Sequence, residues 1–261
     1  MVKLKDMKVV IIGSGNIATV LGRLIKSAGH HIIEVVSQNL HHAKVLADEL
    51  KCKANDDFNT VTKESDLYIL AISDNSIKTV AAALHLDKGI IVHTSGSVSK
   101  EVLQRASHDY GVLYPLQSLR KEAIHIPVIP FLVDGNNDAV IKLLQAFAET
   151  ISNKVTVAND ETRLKLHVAA VVVSNFTNHL YTLTSNYCKK EHIDFSALSP
   201  LIEEVAGRVK EYNPEHMQTG PAIRGDSAII EKHIHLLAGH PQLQKLYVEI
   251  TGSIQEIYGG K

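Results

Sequence analysis

A glycine-rich stretch near the start of the chain has the spacing of a phosphate-binding turn. Residues 13–18 read Gly-Ser-Gly-Asn-Ile-Ala, directly after an apolar run and before a helical pattern. Gly13 permits a tight turn, the missing side chain of Gly15 lets the backbone approach a pyrophosphate, and Ala18 allows close helix packing. The N–H groups that open the helix meet the phosphate charge. The pattern predicts dinucleotide binding by Gly13, Ser14, Gly15, Asn16, Ile17 and Ala18.

The end of the second predicted strand bears on the choice of cofactor. An Asp or Glu there would bind the adenosine ribose 2′-hydroxyl and repel a 2′-phosphate. This chain has the neutral residues Ser37, Gln38 and Asn39 instead, which favours NADP(H). NAD remains the alternative, because the nearby cationic candidates are only His41, His42 and Lys44.

Further strand ends carry polar sequence that belongs at the reactive end of a cofactor. Ala71, Ile72 and Ser73 are expected along the nicotinamide-side phosphate and ribose, since ligands of open α/β sheets lie beyond the carboxyl ends of strands. Asp74, which follows them, is either a site residue or a helix cap. The hydroxyl and N–H groups of Thr94 and Ser95 are predicted to hold the carboxamide or a substrate oxygen, with a plain turn as the alternative. Residues 114–118, where a strand is broken by proline, face the same crevice.

The second half of the chain offers a polar stripe on an apolar helix. His167, Ser174 and Asn178 lie near one line of a regular helix, with Asn175 beside them, whereas Lys165 is about 200° from His167. The ordinary pKa of an imidazole, about 6.5, suits His167 to carry a proton opposite the nicotinamide. The structural interpretation is a satisfied hydrogen-bond network or a subunit contact.

A constrained turn at residues 219–226 presents Arg224 between two glycines and beside Asp226. A guanidinium suits a substrate carboxylate or phosphate, while the alternative is an Arg–Asp pair that fixes the loop. The predicted catalytic set is therefore His167, Ser95, Asn175 and Arg224.

Strand and helix patterns alternate up to residue 158, which predicts an α/β fold with a doubly wound parallel sheet. A helix is expected at about residues 100–108. From Asp160 to about Lys189 there is no Gly or Pro, which predicts one long helix, apolar on most sides and buried as the axis of a domain. The expected organisation is a Rossmann domain at residues 1–158 and an all-helical domain for substrate and dimerisation at residues 159–261.

The composition narrows the class of protein. The 261 residues carry a net charge of −1, so nothing indicates binding to nucleic acid or to an anionic membrane. Two cysteines without a redox motif fit a reducing cytoplasm. The 15 histidines form no HExxH or Cys/His cluster, and no metal site is predicted.

The order of the motifs GSGNIA, LAISD, HTSGS, YPLQS, KLHVAAVVVSN and TGPAIRGD resembles the bacterial Rossmann-like proteins that carry the domain of unknown function DUF2520. These proteins are usually described as NADP oxidoreductases. They are similar, more distantly, to pyrroline-5-carboxylate reductase, the deazaflavin-dependent NADP reductases and the β-hydroxyacid dehydrogenases. The resemblance implies a Rossmann domain, a helical C-terminal domain and a homodimer formed through the helical domains.

Three positions depart from the patterns of these families. Tyr114 stands where members commonly have His, and Gln38 stands where an Arg commonly follows the strand-end Ser. The position four residues after Lys165 is Ala169 rather than Asn, so Lys165 does not inherit the catalytic lysine role of the β-hydroxyacid dehydrogenases.

The sequence thus predicts a cytoplasmic, dimeric NADP(H)-dependent oxidoreductase that moves a hydride to or from a small C=O or C=N compound in a cleft between the domains. The main alternative is a non-catalytic NADP(H) sensor or regulatory protein. A nucleotide-sugar or metabolite-binding module is a second alternative.

Overall fold

The structure is a computed structural model that describes residues 6–123 and 125–259. It divides into two compact units, Met1–Val173 and Ser174–Lys261. This division falls inside the long helical segment that begins at Asp160. The functional domain boundary after residue 158 stays a prediction.

A single sheet organises the first unit. Among the described residues it has eight strands in the order β3-β2-β1-β4-β5-β6-β7-β8, and every neighbouring pair is parallel except β6 and β7. The strands are β1 Lys8–Ile12, β2 His31–Val36, β3 Lys53–Asn55, β4 Leu67–Leu70, β5 Leu86–His93, β6 Ser107–Pro115, β7 Phe131–Gly135 and β8 Val155–Val157.

Helices cover both faces of this sheet. They are α1 Asn16–Ser27, α2 Leu40–Leu50, α3 Asp74–Ala83 and α4 Asp138–Ile151, and the unit also contains α5 Asp160–Ala170. Successive β1 residues alternate between two apolar cores, as the pleat of a strand requires: Val9 and Ile11 pack with α1, α2 and α4, and Val10 and Ile12 pack with α3. The predicted doubly wound sheet is therefore confirmed.

One predicted feature of this unit is wrong, and one strand was not predicted. The helix expected at 100–108 is only a short 3₁₀ turn, Lys100–Leu103, because the chain at Ser107 already pairs with Leu86 of β5. The edge strand β3 was not expected. Its three residues have no strand periodicity of their own, and pairing with β2 brings them into the sheet.

The described residues of the second unit form helices joined by turns and loops, with no strand, as predicted. Its helices are α6 Thr177–Lys190, α7 Ser199–Arg208, α8 Ser227–Leu236 and α9 Pro241–Tyr258. Proline stands in the first turn of α7 and of α9, where its missing N–H costs no hydrogen bond. No helix in the described part of the chain has the length and apolarity needed to cross a membrane.

The long helical segment differs from the prediction in its geometry. Between α5 and α6 the chain forms a π-helical stretch, Val171–Phe176, which contains three consecutive β-branched valines. A π turn bonds residue i to i+5, so 100° per residue does not hold across it. The predicted alignment of His167 with Ser174 and Asn178 assumed a regular helix and is wrong for that reason.

The same segment is also less buried than the sequence suggested. The exposed fractions of Val168, Val172, Val173 and Phe176 are 58%, 49%, 73% and 58%. The helix is therefore not the buried axis of a domain within the single chain, and the expectation that helical domains form a dimer interface stays a prediction. An apolar surface of this helix is left uncovered.

Candidate functional site

The first half of the site is the glycine turn between β1 and α1. Gly13 has a φ of 125°, a backbone conformation that side chains rarely adopt. A Cβ atom at this position would lie 2.1 Å from the carbonyl oxygen of Ala71. Glycine is therefore required here both by conformation and by the close approach of the chain after β4.

Gly15 serves a different purpose, because it leaves space open. Its backbone is extended, and a Cβ built on it would meet no atom within 4 Å. No described side chain caps the N-terminus of α1, so its first N–H groups remain available to an anion. A pyrophosphate fits this combination of open space and free donors.

A cavity of about 590 Å³ lies over this turn and gathers most of the predicted cofactor residues. Its lining includes Gly13, Ser14, Gly15, Asn16, Ile17, Ser37, Gln38, Ala71, Ile72 and Ser73, together with Gln117 and Leu119 from the segment after β6. The residues present thus fit a dinucleotide.

Four predicted cofactor residues lie outside the cavity lining: Ala18, Asn39, Thr94 and Ser95. Ala18 is buried in the core below α1, as its packing role requires. The Asn39 side chain accepts the His42 N–H and caps α2. The Thr94 hydroxyl donates to the Leu70 carbonyl. Direct contact of these side chains with a cofactor stays a prediction.

The end of the cavity beside β2 is neutral. The hydroxyl oxygens of Ser14 and Ser37 are 2.9 Å apart, which joins the glycine turn to the end of β2. No charged side chain is among the described residues that line the cavity. The pocket therefore lacks both the carboxylate that would repel a 2′-phosphate and the cation that would pair with one.

This neutrality leads to a prediction about cofactor choice. We expect the protein to be stabilised more by NADPH than by NADH, and Ser37→Asp to reverse the order, since a carboxylate at the strand end repels a 2′-phosphate. Gln38→Arg should act in the opposite direction and tighten NADPH binding. Thermal shifts with each cofactor measure both, and each tenfold change in Kd corresponds to about 1.4 kcal/mol. A larger NADH shift in the parental protein would overturn the NADP assignment.

The second half of the site lies at the ends of the adjacent parallel strands β5 and β6. The Tyr114 hydroxyl, near the end of β6, is 2.9 Å from His167 Nδ1 on α5, and one of these atoms donates to the other. The two rings meet edge to face at 76°. Gly96, in the turn after β5, packs so closely that a Cβ there would lie 2.6 Å from Nδ1. The structure thus builds a tyrosine–histidine pair against the HTSG turn.

The pKa of Tyr114 is raised, first by burial of the hydroxyl and then by the negative charge of Asp74, while Arg163 opposes the rise. A raised phenol pKa keeps Tyr114 protonated at neutral pH, and its capacity to donate is lost only as the pH rises through that value. The sequence-based site list omitted Tyr114. The available signal was its position at a strand end, because neighbouring parallel strands end at the same edge of a sheet.

Ser95 lies in the same turn, and its side chain is engaged in hydrogen bonds within that turn. It is buried, and its Oγ accepts the N–H groups of Ser97 and Val98, each at 3.1 Å. The Ser97 hydroxyl in turn donates to Asp74 Oδ2 at 2.6 Å. Asp74 is not the cap of α3, since Ser73 holds that position. These bonds fix the shape of the turn, and a catalytic role of Ser95 stays a prediction.

The remaining predicted site residues belong to the second unit. Asn175 is exposed within the π-helical stretch, and Arg224 is exposed in its glycine-flanked turn. Asp226 accepts the Ile229 N–H and caps α8, and no Arg224–Asp226 ion pair is found among the described residues. The alternative in which this pair fixes the loop is therefore wrong. A catalytic role for either residue stays a prediction.

Comparison with known proteins agrees with this geometry. Residues 8–95 match the family described as NADP oxidoreductase, coenzyme F420-dependent, and residues 129–254 match the domain of unknown function DUF2520. No curated protein matches the chain. A Bacteroides fragilis protein named as a candidate NADP oxidoreductase is 36% identical, with a TM-score of 0.91 over 96% of this chain and 98% of that one.

Two more distant structures share the fold. A 1-pyrroline-5-carboxylate reductase from Streptococcus pyogenes is 15% identical, with a TM-score of 0.65 over 95% of this chain and 99% of that one. A reductive aminase from Aspergillus terreus, solved with NADPH and ethyl-5-oxohexanoate, is 13% identical, with a TM-score of 0.73 over 97% and 93%. The two family matches and the 36% identity to the Bacteroides fragilis protein show that the chain belongs to the family that joins a Rossmann domain of the F420-dependent NADP oxidoreductase type to DUF2520.

Proposed function

We propose that the protein is an NADP(H)-dependent oxidoreductase that transfers a hydride to or from a small C=N or C=O compound. The observation that carries the proposal is the Tyr114–His167 pair, packed on the Gly96 turn at the sheet edge where the glycine turn also lies. A protein that only senses the cofactor has no need of a proton-carrying pair at this place. The Bacteroides fragilis relative supports the same class of activity.

The chain's own residues would manage one proton. Gly13, Gly15 and the N-terminus of α1 would hold the phosphates of a bound cofactor, and its nicotinamide would supply or accept the hydride. In the reducing direction the Tyr114 hydroxyl donates its proton to the substrate nitrogen or oxygen. His167 returns a proton from Nδ1 to the Tyr114 oxygen and takes one from solvent at Nε2. The net proton therefore comes from water; Tyr114 is restored, and His167 is left as its other neutral tautomer, which returns to the first by exchange of its ring protons with water.

Two charged residues, Asp74 and Arg224, would influence which class of substrate binds and reacts. The negative charge of Asp74 acts on Tyr114, and a carboxylate near the reacting atoms favours a protonated C=N group over a developing alkoxide. The reductive aminase of similar fold, solved with NADPH, supports the same preference. Arg224 would anchor a substrate carboxylate or phosphate.

A screen for NADPH oxidation tests the proposal. Cyclic imines, keto acids with amines, simple ketones and a deazaflavin would each be added to the protein and NADPH, and the NADPH absorbance followed. We expect turnover with a C=N compound. NADPH binding without oxidation across all four classes would favour the sensor.

We further propose that a second copy of the chain covers the exposed apolar surface of the long helix. That surface includes Val168, Val172, Val173 and Phe176, and leaving it in water is unfavourable by about 25 cal/mol per Å² of apolar area. The proposal agrees with the homodimer that the family resemblance implies.

Val172→Asp tests this assembly. Because Val172 is already half-exposed in the single chain, we expect the variant to remain folded and to become monomeric at micromolar concentration, since association would bury an unpartnered carboxylate. Light scattering measures the mass and circular dichroism the fold. Val45→Asp on α2, where the parental side chain is 57% exposed, is the matched control and should leave the mass unchanged. A monomeric parental protein would contradict the proposal.

A further inference from the structure

Arg163 is a charged side chain in a place where charge is costly. It lies in the first turn of α5 with a relative exposure of 1%, and it is the largest fully buried side chain of the described residues. Its Nη2 donates to the Val98 carbonyl at 2.5 Å and to Asp160 Oδ1 at 2.8 Å. Its Nε and Nη1 atoms are buried and have no hydrogen-bond partner among the described residues. A merely structural arginine would be expected to satisfy all of these donors.

The neighbouring charges form a chain that ties the start of α5 to the sheet. Asp160 Oδ1 also accepts the backbone N–H of Lys100 at 3.4 Å. Lys100 Nζ pairs with Asp134 Oδ2 of β7 at 2.8 Å. Burial would raise the pKa of Asp160, but hydrogen bonds from Ser99 and Arg163 hold it below its ordinary value. Asp160 is therefore an ionised carboxylate beside the Arg163 guanidinium at neutral pH.

Arg163 links two elements that pack against the Tyr114–His167 pair. It lies one helical turn before His167 on α5, so the two residues share a face of that helix. Its partner Val98 is two residues after Gly96, the glycine that packs on the pair. One guanidinium thus joins the helix that carries His167 to the turn against which His167 and Tyr114 rest.

We propose that Arg163 is a positioning residue for the Tyr114–His167 pair: it locks the Gly96 turn to α5 and holds a fixed positive charge close to the phenol. The inference rests on the proposed function for its meaning in catalysis. An apolar side chain of similar length would fill the same volume without the cost of a buried charge. An effect of the Arg163 charge on Tyr114 and His167 would explain why the cost of burying it is tolerated.

The pKa shifts of Tyr114 and His93 agree with an effect of the Arg163 charge. The charged groups that act on Tyr114 are Asp74, at the start of α3, and Arg163, and those that act on His93 of β5 are Arg163, Asp160 and Asp74. Arg163 lowers the pKa of Tyr114 against the effects of burial and Asp74. Burial and then the charge of Arg163 lower the pKa of His93 to about 4, so His93 is neutral at physiological pH. The positive charge of Arg163 thus acts on both Tyr114 and His93.

Titration of Tyr114 itself tests the inference without a substrate. The protein would be labelled with [¹³Cζ]tyrosine, and the resonance missing from Tyr114→Phe identifies Tyr114. In Arg163→Met, which keeps the length but not the charge, the Tyr114 midpoint should rise by on the order of one pH unit. In Arg163→Lys, which keeps the charge but not the fork of donors, it should stay near the parental value. If the unpaired Asp160 prevents Arg163→Met from folding, the neutral double variant Asp160→Asn with Arg163→Met takes its place.

Each outcome decides the inference. An unchanged midpoint in the neutral variant would overturn it, and so would an equal rise in Arg163→Lys. Loss of folding in all three variants would also overturn it, because Arg163 would then act only on stability. Absence of NADPH turnover in the parental protein, with the midpoints as expected, would count against the proposed function and leave the charge effect established. Once a substrate is known, the alkaline limb of the kcat profile should move with the Tyr114 midpoint.

Discussion

Tyr114→Phe and His167→Ala are each expected to lower kcat at least about 100-fold on the substrate that the screen finds, because general acid–base groups contribute roughly 10²–10⁴ to a rate. The Phe variant keeps the buried ring and removes only the oxygen that lies 2.9 Å from His167 Nδ1. The two losses should not multiply in the double variant, since both residues serve one proton path. Initial rates of NADPH oxidation measure the effect.

Two neighbouring residues provide matched controls. Tyr110 lies on the same strand, where its hydroxyl bonds to Glu101, and His108 is an exposed histidine two residues before it. Tyr110→Phe and His108→Ala should keep parental turnover. Arg224→Ala should mainly raise KM if the guanidinium anchors an anionic substrate. Full activity of both Tyr114→Phe and His167→Ala would show that the pair is structural.

Gly15→Val is expected to abolish stabilisation by either nicotinamide cofactor. The parental protein should gain about 2.7 kcal/mol at a cofactor concentration 100 times its Kd. The new side chain would enter the open space beside the α1 N-terminus, where a pyrophosphate fits. Because the Gly15 backbone is extended and its Cβ would touch nothing, the variant should fold as the parental protein does without cofactor. Thermal shift measurements with and without NADPH check both statements.

Gly252→Val is the control for this substitution. Gly252 is likewise exposed, and a Cβ built on it would also meet no atom within 4 Å, but it lies in α9. It should retain the full NADPH shift. A normal shift in Gly15→Val would place the cofactor elsewhere and would remove the basis of the proposed function.

The sequence by itself determined the parts of this protein that depend on local chemistry and periodicity. The turn requires glycine at position 13, and space for a pyrophosphate requires glycine at position 15. The spacing of the two glycines indicates both requirements. Apolar runs alternating with helical patterns were sufficient for a doubly wound sheet, because parallel strands buried on both faces need such runs. The absence of Gly and Pro after Asp160 likewise indicated a continuous helical segment.

Only the tertiary structure decided what depends on residues distant in the chain. The partnership of Tyr114 with His167 spans 53 positions, and it arises because the end of β6 lies beside the HTSG turn and α5 returns to both. The burial of Arg163 could not be read from its sequence, where it is one charged residue among others in a first helical turn. The π-helical stretch at Val171–Phe176 was also not predicted, since the absence of Gly and Pro indicates a continuous helical segment without distinguishing its hydrogen-bond pattern. Local energies set the elements, whereas contacts between elements set which side chains meet.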